Sequence, residues 1–338
     1  MSQIARDREV LPLVVEHLTV GYRSHGGVVS PAVRDVSFVV EPGATLAILG
    51  ESGSGKTTIA SAMMDLLASN GEIVSGSVRL GDEDLSAGTP EERRRRRVGR
   101  LAMVFQDPMT ALNPLHTVER QVGEQLRRFG GASRAEARAE VIRLLERVQI
   151  PEPEARLRVY PHQLSGGMRQ RVMIAMALAL RPAYLLADEP TTALDVSVQA
   201  EILDLLRHLQ EESGMGLVII GHDLAVLAQA ATDVAVMYGG RVVERGNLRE
   251  IYLAPRHPYT RGLLDALPTT AGARLRPIPG SPPDPTEMPT GCAFHPRCAH
   301  AFDACRTVVP ELRLVGAGSP GKVPHYSACH LDEEVDDA

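Results

Sequence analysis

The segment GESGSGKT, residues 50–57, constrains the fold more than any other part of the sequence. It follows the apolar run TLAILG, which has the composition of a buried strand, and precedes IASAMMDLLAS, which is typical of a helix. Gly50, Gly53 and Gly55 allow main-chain N–H groups to converge on one point, and the helix start adds the positive end of its dipole. The sequence therefore predicts an α/β fold with a strand, a phosphate-wrapping loop and a helix in succession.

The same loop carries a lysine and a threonine with separate roles. Only two of the 36 basic residues are lysines, so the compact ammonium of Lys56 requires a specific explanation. We expect it to reach the β- and γ-phosphates of a nucleotide, while the Thr57 hydroxyl binds Mg²⁺. The predicted phosphate-binding residues are Gly50, Glu51, Ser52, Gly53, Ser54, Gly55, Lys56, Thr57 and Thr58.

A pair of acidic residues ends the apolar run YLLADEP, residues 184–190. At the end of a buried strand, Asp188 is expected to face the water shell of the metal. Glu189 follows as the candidate general base for the attacking water. Such a pair can instead cap a helix, but its combination with the glycine loop favours the catalytic interpretation.

A second helix start with open N–H groups is predicted at LSGGMRQR, residues 164–171. Ser165 and two glycines can begin the helix MRQRVMIAMALAL, whose N-terminus is a second phosphate-binding end. One active site does not need two such ends from one chain at the same γ-phosphate.

With these motifs in this order, residues of about 10 to 250 resemble the ATP-binding cassette (ABC) family. The resemblance implies a P-loop NTPase fold with a mixed sheet, ATP and Mg²⁺ as ligands, and nucleotide bound between two subunits. It also implies that the following signature residues face the ATP of the partner subunit: Leu164, Ser165, Gly166, Gly167 and Met168.

The resemblance gives roles to further residues. Tyr22 stands where an aromatic ring stacks on adenine, and Gln106 where a glutamine links Mg²⁺ and water to the transmembrane partner. Gln106 would thus join Thr57 and Asp188 around Mg²⁺, and His222 would sense the γ-phosphate. The matching dimer-contact loop consists of Ala193, Leu194 and Asp195.

Met168 departs from the family pattern, which usually has glutamine there; we expect the main-chain N–H groups to remain in place. The variant is similar to one of the two ATPase subunits of dipeptide and oligopeptide importers. Two further segments resemble the same subfamily: QDPMTALNP, residues 106–114, and HPYTRGLLDALP, residues 257–268.

This resemblance implies an ATP-hydrolysing importer subunit at the cytoplasmic face of a membrane. Its expected partners are a second, related ATPase subunit, two permeases and an extracytoplasmic substrate-binding protein. The alternatives are import of nickel or glutathione, or a soluble cassette of iron–sulfur assembly or DNA repair. Coiled-coil repair cassettes need hundreds of residues between glycine loop and signature, and this chain has about a hundred.

The composition suggests two regions. Residues 1–254 are predicted to form the nucleotide-binding domain, with a helical subdomain at about 109–162. Residues 277–289 contain six prolines in 13 residues, typical of an extended linker inside a C-terminal extension, residues 255–338.

Charge and hydropathy exclude other classes of protein. A net charge of −6 argues against a general nucleic-acid surface, and the basic run at 91–97 is interpreted as a solvated helix face. The longest apolar run, residues 172–180, is about half the length of a membrane span. The N-terminal segment has no apolar core of signal-peptide length, so we expect the chain to stay in a reducing cytosol.

The chain has four cysteines, Cys292, Cys298, Cys305 and Cys329, separated by 5, 6 and 23 residues. Clustered thiols in a reducing compartment favour a metal site. The thiols alone suit tetrahedral zinc, a 4Fe-4S cluster, or a packed tail with free thiols. The resemblance favours a 4Fe-4S cluster that clips the tail in place. Further candidate ligands are His295, His300, His325 and His330.

Overall fold

The computed structural model divides into two compact units, and each is described by itself. The first unit comprises residues 1–13, 39–45 and 79–220, and the second comprises residues 14–38, 46–78 and 221–338. The structure describes residues 11–24, 26–192, 194–267, 277–316 and 323–332. Ala193 and most of the segment used to judge export, residues 1–10, lie outside the described residues.

Strands and short helices alternate along the described chain. The strands are β1 (Leu13–Arg23), β2 (Val29–Val40), β3 (Thr45–Leu49), β4 (Gly71–Leu80), β5 (Glu83–Asp84), β6 (Leu101–Val104), β7 (Tyr184–Asp188), β8 (Gly216–Gly221), β9 (Asp233–Tyr238), β10 (Arg241–Asn247), β11 (Arg313–Gly316) and β12 (His325–Ser327). The helices are α1 (Lys56–Met64), α2 (Pro90–Arg97), α3 (Pro108–Ala111), α4 (Val118–Arg128), α5 (Arg134–Arg147), α6 (Pro153–Arg156), α7 (Gly166–Leu178), α8 (Val196–Ser213), α9 (Leu224–Leu227), α10 (Leu248–Leu253), α11 (Pro258–Asp265) and α12 (Asp303–Thr307). Among the described residues, these helices include none with the length and apolar character needed to cross a bilayer.

Three parallel strands form the centre of the first unit. β7 pairs with β6 on one side and with β8 on the other, and every residue of β7 and β8 is buried. Continuous apolar runs of this kind are required of strands covered on both faces. Because parallel strands end at one edge, the segments that follow β6 and β7 emerge side by side.

The segment predicted as helical, residues 109–162, carries α4, α5 and α6. The start of α5 is fixed by a reciprocal cap: the Ser133 N–H donates to a Glu136 carboxylate oxygen, and the Glu136 N–H donates to the Ser133 hydroxyl. The buried face of this helix consists of Ala137, Val141, Leu144 and Leu145. α4 and α5 pack on each other and on α7.

The run EERRRRR at 91–97 lies on α2, where Glu91 bonds with Arg94 and Arg95 and has its pKa lowered to about 2 by them. Arg97 is buried and donates to the Leu85 carbonyl oxygen. Apart from Arg97, the run therefore lies on a solvent-accessible helix face with its own counter-charges, as the sequence indicates.

The second unit contains a mixed sheet with strand order β11-β12-β10-β9-β3, in which β3 and β9 are parallel. The other three pairs are antiparallel. β1, β2 and β4 form a separate sheet in the order β2-β1-β4. Strands from the cysteine-bearing tail thus extend the sheet that includes β3, the strand leading into the glycine loop.

A buried carboxylate ties the tail to this sheet. Glu244 on β10 is fully buried, and its carboxylate accepts the N–H groups of Arg256 and His257 at 2.6 and 2.9 Å. His325 on β12 lies 2.7 Å away through Nε2. A buried carboxylate is tolerated only with such partners, so Glu244 fixes β12 and the start of α11 on β10.

We expect Glu244→Gln to lower the free energy of unfolding by about 2–4 kcal/mol, because an amide NH₂ would face a main-chain donor. Denaturant unfolding followed by circular dichroism measures the change. Glu287→Gln, at an exposed position, is the matched control and should change the value by less than about 0.5 kcal/mol. Equal stability of the two variants would contradict the role given to Glu244.

Candidate functional site

The glycine loop in the second unit follows a path too tight for side chains. A Cβ atom at Gly50 would lie 2.4 Å from the Met237 carbonyl oxygen, and one at Gly55 would lie 2.7 Å from that of Ala32. Gly53 and Gly55 have φ angles of 80° and 100°, in the left-handed region. Neighbouring main chain therefore sets the shape of the loop.

Lys56 closes the loop from within. The residue is only 5% exposed, and Nζ donates to the carbonyl oxygens of Gly50 and Glu51 at 2.7 and 2.9 Å. Lys56 is also the first residue of α1, so its positive charge adds to that of the helix start. Thr57 follows with an exposed side chain. This arrangement suits an anionic ligand.

The other predicted nucleotide contacts of this unit lie on different elements. Tyr22, near the end of β1, has its hydroxyl 3.4 Å from the Thr58 hydroxyl in the first turn of α1. Its ring is therefore close to the helix that begins at Lys56. His222 is exposed and comes directly after β8.

The candidate catalytic carboxylate lies in the first unit. Asp188 is buried at the end of β7. Glu189 has a left-handed φ of 42°, and its N–H donates to the Ile220 carbonyl oxygen. The Glu189 carboxylate accepts hydrogen bonds from Gln106 Nε2 at 2.9 Å and the Thr192 hydroxyl at 2.8 Å. The structure thus brings Gln106 and Glu189 together. Sequence reasoning missed Thr192, because nothing distinguishes it from its neighbour Thr191.

The signature residues form the start of α7 in the same unit. The Ser165 hydroxyl caps the helix by accepting the Met168 N–H at 3.3 Å. A Cβ atom at Gly166 would lie 3.3 Å from Leu194, and one at Gly167 would lie 3.0 Å from Val198. The glycines thus permit α7 to begin close against the segment that leads into α8. Leu164, just before the cap, is buried.

Asp195 begins α8 beside this helix start. Its carboxylate accepts the Ser197 hydroxyl at 2.7 Å and the Val198 N–H at 3.1 Å, and these bonds lower its pKa. Further along the two helices, Arg171 on α7 donates to Glu201 on α8 at 3.1 Å. The described part of the predicted dimer-contact loop, Leu194 and Asp195, therefore lies next to the signature.

The four cysteines converge in the second unit. All four line one cavity, shared with Phe294 and three of the histidines considered as ligands. The Cys292 N–H donates to the Cys305 carbonyl oxygen at 2.9 Å, which joins two of the segments. Burial raises the pKa of Cys292 and Cys298, and raises that of Cys329 to about 12.

This cavity fits a thiolate-bound group in donor type but does not have a coordinating geometry. Within the described ranges, no three or more Cys, His, Asp or Glu side chains are placed so that they could hold a metal ion. The four cysteines expected as ligands thus line the same cavity, but their thiols are not placed so that they could coordinate one metal ion. His325 is not a candidate ligand, because it pairs with Glu244 and does not line the cavity.

Comparison with known proteins gives two family matches. The family described as ABC transporter matches residues 33–192, and the C-terminal region of oligopeptide/dipeptide transporters matches residues 243–305. A putative peptide import ATP-binding protein of Brucella ovis is 50% identical over 318 residues, covering 90% of this chain and 92% of that protein. The dipeptide transport ATP-binding protein DppD of Escherichia coli is 48% identical over 297 residues, covering 87% and 90%.

The fold is similar to that of solved cassettes. The dimeric bacterial ABC transporter cassette MJ0796 superposes with a TM-score of 0.62 at 30% identity, covering 70% of this chain and 99% of that one. Its post-hydrolysis dimer with ADP and Pi gives 0.63 at 30% identity, with the same coverage. These matches confirm the expected P-loop fold with a mixed sheet. The chain therefore belongs to the ABC transporter family of ATP-binding proteins and carries the C-terminal region of oligopeptide and dipeptide transporters.

Proposed function

We propose that this chain is the ATP-hydrolysing subunit of a membrane importer for dipeptides or oligopeptides. One observation carries the proposal: a tight glycine loop, a capped signature helix and the C-terminal region of oligopeptide/dipeptide transporters occur in one chain. The names of the relatives, peptide import and dipeptide transport ATP-binding proteins, support the same substrate class.

In this proposal the glycine loop binds the triphosphate. Lys56 Nζ, which donates to the carbonyl oxygens of Gly50 and Glu51, contacts the β- and γ-phosphates when ATP binds. The N–H groups of the loop bind the other phosphate oxygens. Tyr22 stacks on the adenine from β1. Thr57, Gln106 and Asp188 would hold Mg²⁺, which neutralises negative charge on the phosphates when bound.

Glu189 is the proposed general base. Its carboxylate is oriented by Gln106 and Thr192, which both donate to the same oxygen, and a carboxylate held in this way can accept a proton from water. The left-handed φ of Glu189 is consistent with a side chain held at a functional position. His222 would contact the γ-phosphate.

The signature helix would complete the site of a partner subunit. The N–H groups at Gly166 and Gly167 belong to the capped start of a 13-residue helix, an arrangement that favours an anion. The dimeric form of the solved cassette supports a sandwich of two ATPase subunits. We propose that the partner is a second, related ATPase chain.

The other proposed partners are two permeases and an extracytoplasmic substrate-binding protein, with this chain at the cytoplasmic membrane face. We propose a nucleotide-binding domain at residues 1–254, with its helical subdomain at about 109–162, and an extension at 255–338. The family match that starts at residue 243 supports a boundary in this region.

Glu189→Gln should keep ATP binding and lower kcat at least about 100-fold, because the amide cannot take a proton from water. Steady-state hydrolysis in the assembled complex, together with the ATP dissociation constant, measures both effects. Glu211→Gln, an exposed change on α8, is the control and should retain wild-type kcat. Wild-type turnover by the Glu189 variant would contradict the assignment.

We further propose that Cys292, Cys298, Cys305 and Cys329 bind a 4Fe-4S cluster, with zinc as the alternative. Their convergence on one cavity supports a shared ligand, and binding would require the thiols to lose their protons and move into alignment. The cluster would act as a structural clip for the tail.

Anaerobic purification of the full chain should give about four iron and four sulfide per chain. Removal of the metal should lower the unfolding temperature, because the site couples to folding. Cys298→Ala should abolish iron binding, whereas Ser281→Ala, at an exposed position of the same segment, should not. Stoichiometric zinc, or thiols without metal, would contradict the cluster.

A further inference from the structure

Two residues of the C-terminal segment, Tyr259 and Arg297, bind Glu51 in the glycine loop. The Glu51 N–H donates to the Tyr259 hydroxyl at 2.9 Å. Its carboxylate accepts two hydrogen bonds from the Arg297 guanidinium, at 2.7 Å from Nη1 and 3.1 Å from Nη2. Main chain and side chain of one loop residue are thus both held from the tail.

Arg297 is committed to this contact. Its side chain is only 6% exposed, Nε donates to the Pro279 carbonyl oxygen at 2.8 Å, and Nη1 also reaches the Tyr238 hydroxyl at 3.2 Å. The guanidinium lies over the rings of Tyr238 and Phe294 at 5.8 and 5.9 Å. A planar, forked cation fits these partners, whereas a lysine ammonium would reach fewer of them.

Three packed aromatic rings support the contact between Arg297 and Glu51. Tyr238, Tyr259 and Phe294 form a cluster with centroid separations of 4.6, 5.2 and 5.4 Å. A Cβ atom at Gly239, next to Tyr238, would lie 2.6 Å from Met288 and 2.8 Å from Ala293. The tail therefore has little freedom to shift relative to the loop.

Glu51 connects the C-terminal segment to Lys56 through its main chain. Its N–H is fixed by Tyr259, and its carbonyl oxygen accepts Lys56 Nζ at 2.9 Å. The peptide groups on either side of Glu51 are therefore restrained by a tail residue and by the phosphate-contacting lysine. Restraint of this kind orients the loop before the ligand arrives.

The charge of Glu51 gives the contact a second consequence. An unpaired carboxylate in a loop that binds a triphosphate would repel the ligand. The Arg297 guanidinium neutralises it at a distance of 2.7 Å. Loss of Arg297 alone would leave the negative charge of the Glu51 carboxylate uncompensated. Replacement of both Glu51 and Arg297 by neutral residues would remove that charge.

We propose that Arg297 and Tyr259 are positioning residues for ATP, with the tail setting the shape and the charge of the glycine loop. The inference rests on the proposed binding of ATP at this loop. It makes the C-terminal segment a determinant of nucleotide affinity, in addition to any group held by the cysteines.

The test measures the ATP dissociation constant of the purified full chain, and KM and kcat in the assembled complex. Arg297→Gln should raise the dissociation constant and KM roughly tenfold while kcat stays within about twofold, because a charged hydrogen-bonded pair is lost outside the reacting atoms. Tyr259→Phe should raise them about fivefold through the unpaired Glu51 N–H. Arg297→Lys should recover part of the affinity.

The double variant Glu51→Gln with Arg297→Gln separates charge from general damage. It should bind ATP more tightly than Arg297→Gln alone, because no unpaired carboxylate remains. The defect of Arg297→Gln should also shrink as salt rises, since salt screens the repulsion. Arg313→Gln removes a charge from an exposed position of the tail and is the control.

Unchanged ATP affinity in Arg297→Gln with an unfolding temperature equal to that of Arg313→Gln would overturn the inference. A double variant as weak as Arg297→Gln would overturn its electrostatic part. If Arg297→Gln does not fold, unchanged affinity in Tyr259→Phe overturns the positioning role. Lys56→Ala separates the two proposals: wild-type ATP binding by that variant would refute the nucleotide site itself.

Discussion

The structure depends first on the main-chain path of the glycine loop. At Gly50 and Gly55, the carbonyl oxygens of Met237 and Ala32 occupy the space that a side chain would need. The loop cannot hold its own shape through side-chain packing, so the surrounding elements of its unit hold it. Lys56 adds a restraint from inside by bonding to loop carbonyl oxygens. The shape of the loop is therefore tied to the packing of parts of the chain that are distant in sequence.

The tail is one of those parts. β12 joins β10 in the sheet that includes β3, and the fully buried Glu244 carboxylate stabilises that junction because two main-chain N–H groups and His325 lie within hydrogen-bond distance of it. Tyr259 and Arg297 then reach the loop from the same segment. A region rich in proline and poor in apolar residues acquires a defined structure through a few buried polar contacts and an aromatic cluster.

Local features were predictable from sequence. The runs at β3, β7 and β8 are short, apolar and bounded by turn residues, and each forms a fully buried strand. The cap at Ser165 also follows from local preference. Thr192 and the pairing of His325 with Glu244 were not predictable, because hydroxyls and histidines occur widely and only folding selects which ones meet. The convergence of the four cysteines on one cavity was also not specified by their spacing in the sequence.

The resemblance of the sequence motifs identified the family. The sequence by itself also determined the glycine loop, the capped helix start at Ser165 and the buried apolar strands. These depend on main-chain sterics and on the periodicity of apolar residues, which act over a few neighbouring positions. Only the tertiary structure decided that Arg297, 246 residues away, neutralises Glu51, and that Gln106 meets Glu189 across 83 residues. Such pairs depend on which of many similar side chains the packed core brings within hydrogen-bond distance, and no local pattern encodes that choice.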